Sequence, residues 1–199
     1  MIRLFARLGA ILALLSGGSA FAFTNPLGGL QLANLNPLER GPLADFLNIF
    51  REQAIPSRVV PWQRGHAPGT VVISTSERRL YYVLRGEAAI QYGVGVGRQG
   101  FTWSGTKPVS MKREWPDWTP PPEMRKRRPD LPRHMPGGMN NPLGARAIYL
   151  GSSMYRIHGS NEPETIGAAV SSGCIRMTNR DVVDLFDRVK VGTKVVVLR

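Results

Sequence analysis

Three short runs dense in β-branched and aromatic residues, TVVIS at 70–74, RLYYVLR at 79–85 and AAIQYGVGV at 88–96, stand only a few polar residues apart. Connections this short join antiparallel neighbours, because a parallel crossover needs a dozen residues or more. The runs therefore predict an antiparallel sheet and exclude a chain built mainly of helices. Strand patterns return at 146–150 and 154–158, and a closing one lies at 193–198. One helix interrupts them: Thr178 is an N-cap with Asp181 three residues on, and Val182, Val183, Leu185, Phe186 and Val189 share a face before Gly192 ends it. The fold class is mainly β. Among the 199 residues 42% are hydrophobic and spread along the chain, too many for intrinsic disorder.

The first 22 residues read as an address. Arg3 and Arg7 give a basic start, 8–15 is apolar, and Ala20-Phe21-Ala22 ends the segment with an A-x-A cleavage pattern. The apolar part is too short to span a membrane, which takes about 20 residues. Residues 1–22 are thus expected to be a cleaved signal peptide, leaving no stable membrane span. Residues 23–68 read as an N-terminal arm with a short amphipathic helix at about 42–54, followed by chain-breaking Pro56, Pro61 and Pro68. The main domain is expected at 69–199. It is interrupted at about 111–138 by a loop with seven prolines, Trp115, Trp118 and the run Arg125-Lys126-Arg127-Arg128. Long loops in compact domains are usually functional, so this one is expected to cap a substrate groove and touch anionic groups.

Lysine and arginine number 26 against 14 acidic residues, a formal net charge of +12. An exported chain this basic is drawn to anionic polymers. Nucleic acid binding would rest on charge alone and is not expected. The string Gly95-Val96-Gly97-Arg98-Gln99-Gly100 matches G-x-G-x-x-G, but that fingerprint needs a helix next and an acidic residue about 20 positions on within a βαβ unit. Residues 101–108 carry no helical period, so a dinucleotide cofactor is not expected. One cysteine and three scattered histidines lack metal-ligand spacing, so neither metal nor cofactor is expected.

The chemistry is expected at 158–176. His158-Gly159-Ser160-Asn161 ends a strand pattern, and Ser171-Ser172-Gly173-Cys174-Ile175-Arg176 stands just ahead of the capped helix. A thiol becomes a nucleophile when an imidazole or a helix N-terminus favours the thiolate, and Cys174 is read as having both. Gly173 lets the backbone turn beside the thiol, so the amides of Gly173 and Cys174 could face a developing oxyanion. That is an acyl-transfer layout.

These strings, followed by Met177 and with Asn141-Pro142-Leu143-Gly144 upstream, closely resemble the catalytic region of the L,D-transpeptidases, the YkuD domain family, in its Gram-negative periplasmic form. The resemblance covers about 69–198. It implies a β-sandwich or barrel-like domain with the cysteine between the sheets. It implies that Cys174 attacks the third-residue carbonyl of a peptidoglycan tetrapeptide stem and expels D-Ala, while His158 moves the proton and the Gly159 carbonyl orients the imidazole. Arg176 would bind a stem carboxylate, and Ser172 is also implied at the substrate. The acceptor would be a second stem, giving a 3→3 cross-link, or the N-terminus of an outer-membrane protein. A periplasmic, wall-associated monomer is implied. Within the same family the acceptor could instead be water, making the chain a carboxypeptidase or amide hydrolase, and a wall-binding module without catalysis is the remaining alternative.

Overall fold

A computed structural model of the protein describes residues 55–199. The expected signal peptide, most of the expected arm and its helix lie outside those residues. Strand β1 (Arg58–Pro61) pairs antiparallel with β4 (Ala88–Gly93), which pairs with β3 (Arg79–Val83), which pairs with β2 (Val71–Ser74). The antiparallel β2–β3–β4 meander follows the three runs that predict it. Strand β1 lies in the stretch read as broken by prolines. A sheet edge tolerates them, and Pro61 ends β1 opposite Ala88.

After β5 (Val96–Gly97) comes β6 (Gly105–Glu114), then helix α1 (Pro122–Arg127), β7 (Arg146–Leu150), β8 (Arg156–His158), β9 (Ala169–Ser171), β10 (Ile175–Arg176), helix α2 (Asn179–Arg188) and β11 (Lys194–Leu198). The larger sheet runs β1-β4-β3-β2-β11-β6-β7-β8-β10, so the C-terminal strand sits at its centre, parallel to β2 and antiparallel to β6. Strand β6 joins two halves: its start pairs with β11, and from Val109 on it pairs with β7, with a register shift between Val109 and Met111. Such a bulge bends the strand and lets it turn a corner between sheets. The far edge does not stay open. Gly95, just past β4, donates to the Arg176 carbonyl and accepts from the Arg176 amide, both at 2.9 Å, so the sheet curls back on itself. The sandwich or barrel expected from the resemblance takes this form.

Inside the curl, Val71, Ile73, Leu80, Tyr92, Ile148, Leu150, Ile157, Ile175, Val195 and Val197 pack against Val182, Leu185 and Phe186 of α2. Each such side chain contributes roughly 1.5–3 kcal/mol by leaving water. Thr178 caps α2 as expected, its hydroxyl accepting from Asp181 N–H at 3.1 Å. The loop expected at 111–138 is shorter and more ordered than its sequence implies. Residues 111–114 belong to β6, whose side chains are mostly exposed and so carry no apolar pattern. Farther on, Trp118 and Met135 exchange two backbone hydrogen bonds at 2.8 Å. The buried Asn141 then donates to the carbonyls of Pro116 and Pro136, both at 3.0 Å, which ties the loop's ends together.

Candidate active site

Strands β8 and β10 run parallel with Ile157 opposite Ile175 and His158 opposite Arg176. Alternation along a strand sends the two isoleucines into the core and puts Arg156, His158 and Arg176 on the other face. Cys174 immediately precedes β10, two residues before Arg176. Its Sγ lies 3.8 Å from the Met154 carbonyl, and the Arg156 backbone N–H faces the sulfur. The sequence expected a helix N-terminus beside the thiol, but β10 stands between Cys174 and α2. Positive charge near the sulfur comes instead from Arg156 and Arg176.

His158 is buried, and its Nδ1 lies 2.6 Å from the Gly159 carbonyl. A carbonyl only accepts, so Nδ1 carries the proton and Nε2 of the neutral ring keeps its lone pair. The Gly159 segment is held on both sides: Gly159 N–H donates to Arg146 O at 3.0 Å, and Asn179 Nδ2 donates to Ser160 O at 2.9 Å. Asn179 Oδ1 also accepts from Ala145 N–H at 2.8 Å. Its oxygen would be 2.2 Å from a Cβ on either Gly144 or Gly159, so only glycine lets these two segments meet there. Sequence reasoning missed Asn179, because an asparagine just after a helix cap carries no signal of what it holds.

Beside the thiol, the φ of Gly173 is +107°, and a Cβ there would come within 2.6 Å of the Tyr155 ring. Tyr155 stacks on Trp103 at 4.7 Å, and Trp103 Nε1 donates to the Gly173 carbonyl at 3.1 Å. Two expectations are altered. The Gly173 amide, expected at an oxyanion, donates to Ser171 Oγ at 3.2 Å, because the same hydroxyl turns to donate to Cys174 O at 2.6 Å. Arg176, expected to await a substrate carboxylate, is held by Glu162 at 2.8 Å, with Thr165 Oγ1 at 3.4 Å. Ser172 is exposed on the same turn. His66 and His134 stand away from these contacts, His66 beside the Trp62 ring and His134 facing Asp117.

Burial pushes the Cys174 thiol up, opposed by Arg156 and Arg176. Burial also drives His158 down, to about 3, outweighing the Gly159 carbonyl; Arg176 and Arg156 push the same way. At rest both groups are thus neutral, Cys174 as the thiol and His158 as the imidazole. Stability follows from this. A histidine whose folded pKa is depressed binds fewer protons than the unfolded chain, so the native state is penalised as pH falls from 6.5 toward about 3. Asp181, raised to about 6 mainly by burial, acts oppositely, which makes a comparison between variants cleaner than a single curve. Between pH 7 and pH 4.5, wild type is expected to lose about 2–3 kcal/mol more than His158→Gln in urea unfolding. Equal losses would contradict a buried neutral ring.

The glycine string at 95–100 serves the sheet: Val96–Gly97 forms β5, paired with β9, and the next element is strand β6. No helix follows to receive a pyrophosphate.

Residues 68–197 match the family model of the YkuD L,D-transpeptidase catalytic domain. A probable L,D-transpeptidase ErfK/SrfK of Escherichia coli strain K12 is 39% identical over 176 residues, 82% of this chain. This chain spans about half, 54%, of that relative's length. A solved structure from Brucella melitensis, described as a probable carnitine operon oxidoreductase, is 43% identical, with a TM-score of 0.50 over 76% of this chain and 98% of its own. An L,D-transpeptidase from Mycobacterium smegmatis shares the fold at a TM-score of 0.53 and 19% identity, over 65% of this chain and 58% of its own. On the family model, the curated relative and the curled sheet together, the chain belongs to the YkuD family of L,D-transpeptidase catalytic domains.

Proposed function

We propose that this protein is a peptidoglycan L,D-transpeptidase of the periplasm, working through Cys174 and His158. The observation that carries the reading is the 2.6 Å contact between His158 Nδ1 and the Gly159 carbonyl, which leaves Nε2 as the base. His158 Nε2 takes the thiol proton as sulfur bonds to the third-residue carbonyl carbon of a tetrapeptide stem. The Cys174 N–H, next to the sulfur, donates to the oxyanion. The C–N bond to D-Ala then breaks, and the imidazolium returns its proton to the leaving amine. An acceptor amine attacks the resulting thioester, loses a proton to His158, and releases the thiol. The new amide is a cross-link between stems, or a bond to the N-terminus of an outer-membrane protein.

Family membership and a leader-like N-terminus support export to the periplasm. Among the described residues no helix is long and apolar enough to cross a membrane. The loop supports wall contact: Lys126 and Arg128 pair with Glu123 and Asp130, whereas Arg125, Arg127 and Arg133 have no carboxylate partner among the described residues.

Disaccharide-tetrapeptide incubated with the protein is expected to give a dimer lighter by one D-Ala in mass spectrometry, and none once the thiol is blocked with iodoacetamide. Tripeptide alone would assign water as the acceptor and make the protein a carboxypeptidase. Unchanged tetrapeptide would overturn the reading.

A further inference from the structure

The residue expected to recognise substrate charge is already occupied. Arg176 has Glu162 at 2.8 Å and Thr165 Oγ1 at 3.4 Å, so a carboxylate of the substrate would have to compete with one of the chain's own. A second guanidinium also acts on the thiol, without that competition. Arg156 is two residues before His158 on β8, on the same face of the pleat, and its backbone N–H already faces the sulfur. Its guanidinium lies over the ring of Tyr149, its cross-strand neighbour, at 5.3 Å, which fixes the side chain beside the site. Among the described residues it has no carboxylate within ion-pair distance, and its buried Nε has no hydrogen-bond partner.

We propose that Arg156, rather than Arg176, is the guanidinium that reads a carboxylate of the donor substrate beside Cys174. A buried donor without a partner is costly, and a planar guanidinium stacked on an aromatic ring suits bidentate carboxylate recognition. Electrostatics at the thiol agree: after burial, Arg156 is the largest influence on Cys174, and it favours the thiolate. The proposal rests on the transpeptidase reading only for the identity of the donor. A tetrapeptide stem offers three such groups, the terminal carboxylate of D-Ala, the side-chain carboxylate of a diaminopimelate at the third position and the α-carboxylate of a γ-linked D-glutamate at the second.

Two small electrophiles separate charge recognition from turnover. Iodoacetate and iodoacetamide alkylate the same sulfur and differ in the carboxylate. The ratio of their rates on Cys174, measured above the thiol pKa, is expected to exceed that of a free cysteine peptide, to fall about tenfold in Arg156→Gln, and to be largely restored in Arg156→Lys. A ratio unchanged in Arg156→Gln, or one that collapses in Arg176→Gln while surviving in Arg156→Gln, overturns the proposal. With tetrapeptide donors, Arg156→Gln is expected to raise KM about tenfold with little change in kcat. Amidating one carboxylate of the stem at a time should abolish that difference for one of the three, which names the group read. If none of the three amides abolishes it, Arg156 does not read the donor, and the proposal fails even where alkylation is charge-selective. A failed transpeptidase reading would appear separately, as tetrapeptide left intact by a protein whose alkylation ratio still depends on Arg156.

Discussion

Tetrapeptide turnover by the Cys174→Ala variant is expected to fall by at least about 10⁴-fold, His158→Ala to follow nearly as far, and the double variant to fall no further. Groups that act as one unit are strongly non-additive, since removing either leaves the other with nothing to do. Here the dependence is mutual for a physical reason. Burial raises the thiol pKa and lowers that of His158, so neither group is ionised alone at neutral pH. In the proposed mechanism the thiolate arises by transfer to Nε2, with the Gly159 carbonyl stabilising the imidazolium through Nδ1. Rates from initial product formation in mass spectrometry check the cycle. Additive losses in the double variant would mean that the two residues work independently.

Asn179→Ala is expected to destabilise the fold by about 2–5 kcal/mol, because it strands two buried backbone groups, each worth roughly 1–3 kcal/mol when left unpaired. The groups are the Ala145 N–H and the Ser160 carbonyl, now 2.8 and 2.9 Å from its amide. Neither can turn to water, since Asn179 is buried and its oxygen fills the space that Gly144 and Gly159 leave open. Urea unfolding at pH 7 reads the loss as a lower midpoint at an unchanged m-value. Asn179 also works at a distance from the chemistry as a positioning residue. It fixes the segment whose carbonyl orients His158, so kcat of the remaining folded variant should fall, while alkylation of Cys174 by iodoacetamide at high pH, which needs no imidazole, should not. A midpoint within about 0.5 kcal/mol of wild type would remove Asn179 from both roles.

How much of this was legible depended on which way side chains face. Strands β2, β3, β4, β7 and β11 and helix α2 bury their apolar residues, and the burial is written in the spacing of Val, Ile, Leu and Tyr. Strand β6 is longer than any of those strands and was invisible, because only Val109 of its ten residues is buried and its pairing is all backbone. Strands β9 and β10 are too short for any pattern to declare itself. At the site, Cys174 and His158 could be picked out because few residue types do their chemistry. The Gly159 carbonyl could not be read from a side chain that does not exist, and it was expected only through the resemblance to a family. The claim of Glu162 on Arg176 depends on a 3₁₀ turn at Pro163–Thr165 that brings two positions in different parts of the chain together.

The pair of hydrogen bonds between Gly95 and Arg176 also sets an order of events. They join the end of the first meander to the strand that follows the thiol, positions far apart in the chain, and contacts of high sequence separation form late because the loop between them must be closed first. The meander of β2, β3 and β4 is local and can form early. Strand β10 is expected to dock after that meander, the bend in β6 and the β7–β8 pair are in place. By this order of events the thiol gains its neighbours late in folding, and a chain that is still unfolded carries a cysteine with no imidazole beside it, a solvated thiol without an acyl-transfer site around it.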